Sequence, residues 1–203
     1  MLKFDYEFPL KGSRNYVHGT DMVNFCVGSL TDHFQTALTS LYFSIHRMTV
    51  KNLCLYVFSD TEVPDRTEAD NAVIRFTVND ARWTGYLREL QSEASHRIEY
   101  NEDSIRAECV VDQSERSITL SDRPAMTDIE TIVAMTKVLH TELFPPSLRW
   151  VFCRLECPYW PGTKKGERFK ITLTQTLGTK LTRSEIKGSD GVIGSVYFSA
   201  KEI

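Results

Sequence analysis

Leu2-Lys3-Phe4-Asp5-Tyr6-Glu7-Phe8 alternates apolar with polar or charged residues, the period-two pattern of a strand with one buried face, and Pro9 and Gly12 close it. Beyond a polar turn the period lengthens. Met22, Phe25, Cys26, Leu30 and Phe34 recur at helical spacing, and Thr20 or Asp21 stands where a cap belongs. Strand patterns follow over Leu41 to Met48, Leu53 to Phe58, Ala72 to Leu87 and Ile105 to Val111. The order then starts again. Ser117 to Leu120 reads as a strand, and a helix capped by Thr127 or Asp128 carries Ile129, Ile132, Val133, Met135, Val138, Leu139 and Leu143 until Pro145-Pro146 ends it. Strands over Leu148 to Cys157, Arg168 to Ile186 and Val192 to Ala200 complete the chain, with turns at Pro161-Gly162, at Lys187 to Gly191 and at the acidic stretch Asp60 to Asp70.

The recurrence extends to residues. Ser40-Leu41-Tyr42-Phe43-Ser44-Ile45-His46-Arg47-Met48 lies over Ser147-Leu148-Arg149-Trp150-Val151-Phe152-Cys153-Arg154-Leu155 at an offset of 107, which also sets Thr20-Asp21 on Thr127-Asp128 and His33 on His140. Ile74 to Val78 lies over Phe169 to Leu173 at an offset of 95, with Arg88 over Arg183, and the lost twelve residues match the polar stretch Ser59 to Asp70. Ile105 to Val111 lies over Val192 to Phe198 at 87. A period near a hundred residues is too long for a solenoid or propeller and implies a duplicated domain, residues 1–112 and 113–203, with Asp112 to Arg116 as the seam.

Composition places the chain among ordinary soluble proteins: 203 residues, net charge −3, 41% hydrophobic and 25% charged. No basic excess points to nucleic acid, no polybasic run to a membrane surface, and no 18-residue apolar run to a bilayer span. The first ten residues lack an apolar signal core, so a cytoplasmic location is expected. Five cysteines, an odd number set in apolar patterns, suit buried thiols rather than a disulfide framework. Cys153 and Cys157 lack a second ligand pair for zinc, so no metal is expected.

One early helix followed by long antiparallel strands resembles the hot-dog fold, in which a sheet wraps a central helix. The recurrence implies an α+β protein of two tandem hot-dog-like units forming a pseudo-dimer. The resemblance implies a substrate: an acyl thioester on coenzyme A or on an acyl carrier protein, which brings its own pantetheine arm so that no separate cofactor is needed. It leaves open a homo-oligomer of such double units.

The two halves differ where chemistry is easiest. Tyr16-Val17-His18-Gly19 precedes the first helix, whereas Arg123-Pro124-Ala125-Met126 stands at the same offset in the second half. A histidine titrates near neutrality, and a glycine bares backbone N–H groups at the positive end of a helix. The placement is similar to hot-dog dehydratases: His18 would be the base, the Gly19 N–H the carbonyl donor, and Glu130 or Glu142 the acid, since Leu139 aligns with Asp32. Gly19-Thr20-Asp21-Met22-Val23-Asn24 is similar to the loop of hot-dog thioesterases, making Asp21 the base or nucleophile and Asn24 a polar helper. Tyr16, Arg88 and Arg183 complete the candidate substrate contacts. The other reading of His18 is a turn histidine with no catalytic part, of Asp21 a helix cap, of the two arginines sheet packing, and of Lys164-Lys165 with Arg168 and Lys170 a solvated hairpin rather than a dock for carrier phosphates. A thioesterase or 3-hydroxyacyl dehydratase is expected, the alternative being a non-catalytic acyl-thioester binder or scaffold of the same fold.

Overall fold

The structure, a computed structural model, describes residues 1–120, 126–160, 168–178 and 180–202. Arg123, Pro124, Ala125, Pro161, Gly162, Lys164 and Lys165, named above, lie outside the described residues. The chain divides into two compact units, Met1–Asn101 with Pro158–Trp160 and Glu102–Cys157 with Pro161–Ile203.

The first unit contains β1 (Leu2–Tyr6), β2 (Leu10–Lys11), α1 (Gly19–Phe34), β3 (Thr39–Ile45), β4 (Lys51–Ser59), β5 (Asp70–Val78), β6 (Ala81–Glu93) and β7 (Arg97–Ile98). Its main sheet runs β1-β4-β6-β5-β3 with antiparallel neighbours, and β2 pairs with β7 in a short parallel ledge. The run from Ala72 to Leu87, expected as one strand, is two. Asn79 and Asp80 both take positive φ, 48° and 62°, the backbone of a two-residue hairpin whose twist matches the strands it joins. α1 lies on one face of the sheet: Phe25 packs against Phe8 and Tyr6, and Phe34 against Phe76 and Trp83. The chain leaves β4 through a 3-10 turn at Asp60–Glu62 and returns at β5, on the far side of β6. The stretch from Ser59 to Asp70 is therefore a crossover rather than a decoration on a hairpin.

The second unit opens with a 3-10 segment, Glu102–Glu108, followed by β8 (Cys109–Asp112), β9 (Ser117–Leu120), α2 (Asp128–Leu143), β10 (Leu148–Tyr159), β11 (Lys170–Leu177), β12 (Leu181–Gly188) and β13 (Gly191–Glu202). Its strands lie in the order β8-β9-β11-β12-β13-β10. The expected strand from Ile105 to Val111 is thus confined to its last residues. Ile105 is fully buried, while Lys137 Nζ lies 2.7 Å from Glu102 Oε1 and Arg106 pairs with Glu142, so α2 holds this segment as a helical turn.

The strand orders qualify the recurrence. β11, β12 and β13 form a simple meander, whereas β6 is inserted between β4 and β5 in the first unit. The 95-residue offset laid β5 on β11 and the 87-residue offset laid the 3-10 segment and β8 on β13, elements with different neighbours. The helices correspond better at 109 than at 107. Thr20, Met22, Val23, Phe25, Cys26 and Leu30 are buried in α1, and the residues 109 further on, Ile129, Thr131, Ile132, Ala134, Met135 and Leu139, are all buried in α2. A two-residue slip keeps every side chain on the same face of a strand but turns a helix by about 200°, so strand matches alone do not detect it. His33 and His140 accordingly face different surroundings. His33 is exposed beside Phe4; His140 is 1% exposed, stacked on Trp150 at 4.6 Å with Nε2 3.0 Å from Thr182 Oγ1.

Burial alone lowers the His140 pKa to about 3 from an ordinary 6.5. The unfolded chain then binds one proton more than the folded one between those limits. Stability is full above pH about 6.5 and falls on acidification at up to about 1.4 kcal/mol per pH unit. Urea midpoints measured from pH 7 to pH 4 should show a shallower acid loss for His140→Phe than for the parent protein; parallel curves would contradict this. At Gly194 the backbone of β13 closes on β10: an added Cβ would meet the Glu156 carbonyl oxygen and lie 2.8 Å from Cys157 Sγ. Gly194→Ala should cost about 1–3 kcal/mol, read as a drop in thermal midpoint.

Candidate functional site

The first turn of α1 and the residue before it bring together His18 and Asp21. His18 is the N-cap, with extended backbone (φ −74°, ψ 136°), and its carbonyl accepts from the N–H groups of Asp21 at 3.0 Å and Met22 at 3.3 Å. Its side chain makes no capping bond. The ring, 5% exposed, has Nδ1 2.7 Å from Thr20 Oγ1, and its centroid is 5.7 Å from that of Tyr100 and 6.5 Å from that of Tyr16. Gly19 and Thr20 are the first two helical residues, so their N–H groups precede the first intrahelical bond and form the positive end of the helix. Asn24 follows one turn on from Thr20 and is half-buried.

Asp21 is not a cap, contrary to one of its two readings. It is the third helical residue, and its Oδ1 lies 2.5 Å from Lys11 Nζ, with the two side chains 12% and 4% exposed. The Lys11 ammonium also sits 4.8 Å from the centre of the Tyr100 ring, and the Arg14 guanidinium lies over the same ring at 5.5 Å. The ledge carrying Lys11 is itself fastened: Arg97 Nη1 donates to the carbonyls of Gly12 at 2.5 Å and Arg14 at 2.7 Å. Lys11 and Tyr100 were missed in the sequence. Lys11 follows a strand pattern as an ordinary surface lysine would, and Tyr100 stands 82 residues from His18; no local spacing joins them.

Glu130 is also the third helical residue, of α2, and does something different. Its Oε2 accepts from the Thr127 backbone N–H at 2.9 Å and from the Thr127 hydroxyl at 2.8 Å, while the Thr127 Oγ1 accepts from the Glu130 N–H at 3.4 Å. This is a capping box, with Thr127 as the residue corresponding to His18. Glu142, the other acid considered, pairs with Arg106 at the far end of α2.

The two arginines lie elsewhere. Trp83 packs on Phe34 of α1, so alternation along β6 turns Arg88 to the opposite face of the sheet. There its Nε donates to Asp70 Oδ1 at 2.6 Å and its guanidinium lies between the Tyr56 and Tyr86 rings, at 5.4 and 5.7 Å. Arg183 likewise faces away from α2, with Nε donating to Ser195 Oγ at 3.2 Å and the guanidinium 6.0 Å from the Tyr197 ring. The Tyr197 hydroxyl donates to Glu156 at 2.7 Å, and burial is the first cause raising its pKa. In the expected basic hairpin, Lys170 Nζ is 2.6 Å from Glu115, and Lys164 and Lys165 lie outside the described residues. Among the described residues no group of three His, Cys, Asp or Glu side chains is placed to hold a metal, and no helix is long and apolar enough to cross a membrane.

Asp70 also accepts from the Thr67 N–H at 2.6 Å, and its side chain is fully buried. Asp70→Asn should therefore leave the partly buried Arg88 without its counter-charge and cost about 2–3 kcal/mol in urea unfolding. The double variant with Arg88→Met should recover part of that loss, and an unchanged midpoint in the single variant would assign the pair no structural part.

No known family's sequence profile matches the chain, and no curated protein matches it in sequence. Solved structures do. The chain is similar to a protein assigned as a thioesterase II from Thermobifida fusca YX, at 10% identity over 99% of this chain and 93% of that one, with a TM-score of 0.50. It is similar to the pyran synthase domain from module nine of the sorangicin pathway at 9% identity, over 99% and 93%, with a TM-score of 0.50. At such identities the likeness is one of architecture, and that architecture is the hot-dog fold, an α+β arrangement of antiparallel sheet and helix.

Proposed function

We propose that the protein acts on acyl thioesters at the first turn of α1, as a thioester hydrolase or a 3-hydroxyacyl-thioester dehydratase. The observation that carries this reading is His18: a buried N-cap histidine whose ring is left out of capping, beside N–H groups at the positive end of the helix, in a hot-dog fold. With Nδ1–H donating to Thr20 Oγ1, Nε2 keeps its lone pair and serves as a base. The Gly19 and Thr20 N–H groups suit a thioester carbonyl oxygen that gains negative charge. In dehydration His18 takes the C2 proton, the electron pair forms the C2–C3 double bond, the C3–oxygen bond breaks, and the same proton returns to the departing hydroxide as water. In hydrolysis His18 takes a proton from the attacking water and returns it to the thiolate. Neither route calls on Asp21, which is tied to Lys11, or on Glu130, which closes a capping box. The acyl group is carried by coenzyme A or an acyl carrier protein, the chain is built of two tandem hot-dog units, and the protein works in the cytoplasm.

A second reading, a non-catalytic acyl-thioester binder, draws on the same engagement of both acids. Purified protein offered short and long acyl-CoA and 3-hydroxyacyl-CoA separates the two. Turnover that His18→Ala lowers at least about 100-fold supports His18 as the base. Turnover indifferent to that change removes His18 from the chemistry, and saturable acyl-CoA binding with no turnover establishes the binder.

A further inference from the structure

α1 and α2 each place an acid at their third position, and the two acids are used in opposite ways. In α2 Glu130 turns back onto Thr127 and satisfies the helix start. In α1 Asp21 turns to Lys11, and the side chain of the cap residue meets the Thr20 hydroxyl and makes no capping bond. A capping box is closed within the helix and stabilises its start by about 1 kcal/mol, although the Glu130 carboxylate is buried as well. A nearly buried lysine–aspartate pair loses much of its attraction to desolvation. The box is closed within four residues of one helix, whereas the Lys11–Asp21 pair joins the helix to a separate strand, so it can do something a box cannot.

Its geometry supplies one. Lys11 Nζ reaches Asp21 Oδ1 on one side and the face of Tyr100 on the other, and the Tyr100 ring in turn lies against His18. Asp21 is the third helical residue and His18 the cap, so the pair grips the turn whose start His18 defines. Arg97 anchors the far end of the chain of contacts by binding the carbonyls of Gly12 and Arg14, on either side of the turn that follows Lys11. A platform of this kind confines the imidazole through contact with its ring and so limits the directions in which its nitrogens can point.

We propose that Lys11 and Tyr100 are positioning residues for His18: the ion pair fixes the first turn of α1, and the phenol ring fixes the plane of the imidazole. The chemical part of this inference rests on the reading of His18 as a base; the placement of the ring does not. The test therefore has two arms, on the full chain. In the first, the ring nitrogens of His18 are observed by 15N-correlated NMR at pH 7.5, assigned by loss of the signals in His18→Ala. Lys11→Met and Tyr100→Leu should each shift or broaden those signals, while Lys11→Arg should hold them near the parent positions. In the second, steady-state kinetics on the thioester that the protein turns over should show kcat lower by about tenfold with KM within twofold for Lys11→Met, and recovery of most of that loss in Lys11→Arg.

Tyr100→Leu leaves no unpaired charge, so it stands in if Lys11→Met does not fold. His18 signals unmoved in Tyr100→Leu and in any folded Lys11 variant would overturn the positioning role, even where His18→Ala abolishes turnover. Signals that move in a protein without turnover would sustain the positioning role and remove the base.

Discussion

A single helix must cover one face of an antiparallel sheet in each unit, and most of the molecule follows from that requirement. The six buried positions of α1 recur at α2 because a helix on a sheet presents one stripe, and the stripe's spacing is set by 3.6 residues per turn. β12 answers with alternate side chains, Thr182, Ser184 and Ile186, which are all buried. Burial of the helix also forces its N-terminus inward. There the first N–H groups need partners, and the choice of partner distinguishes the two units.

The same requirement is met in the two sheets by different strand orders. A helix needs a covering face with strands side by side; the order in which the chain visits them is of less consequence to packing. The first unit reaches its arrangement by a crossover from β4 to β5 and the second by a meander. Crossing over exposes a long polar connection, and the first unit ties it down with the Asp70 carboxylate on the Thr67 N–H and with the Tyr86 hydroxyl donating to the Pro64 carbonyl at 3.0 Å. Arg88 belongs to that fastening, which is why a recurring arginine turned up on the outer face rather than beside the helix.

Element kind was legible in the sequence because the two periods differ: β9 and both helices stand close to where their patterns place them, and β1, β4, β10 and β13 within a few residues. What was not legible depended on long-range pairing or on single backbone angles. Asn79-Asp80 is a hairpin by virtue of two positive φ values, and a polar pair inside an apolar run gives little warning of it. The 3-10 segment from Glu102 to Glu108 carries the apolar Ile105 that a strand would also need, and its ion pairs with α2 are not visible in local spacing. The offset of 107 was two short for the helices because strand parity tolerates a slip of two. Corrected to 109, it sets His18 over Thr127 instead of Ala125.

That correction changes what makes His18 unusual. Against an alanine, a histidine is merely an added function. Against a threonine that caps its helix through a reciprocal bond with Glu130, it is a substitution with a structural cost, since a helix start loses its standard partner. The acid at the third position turns instead to a lysine outside the helix, held nearly buried on a tyrosine face. The arrangement is intelligible if the cap position is needed for its imidazole, because a capping box would have drawn the residue's side chain onto the backbone and left no base at the mouth of the helix dipole.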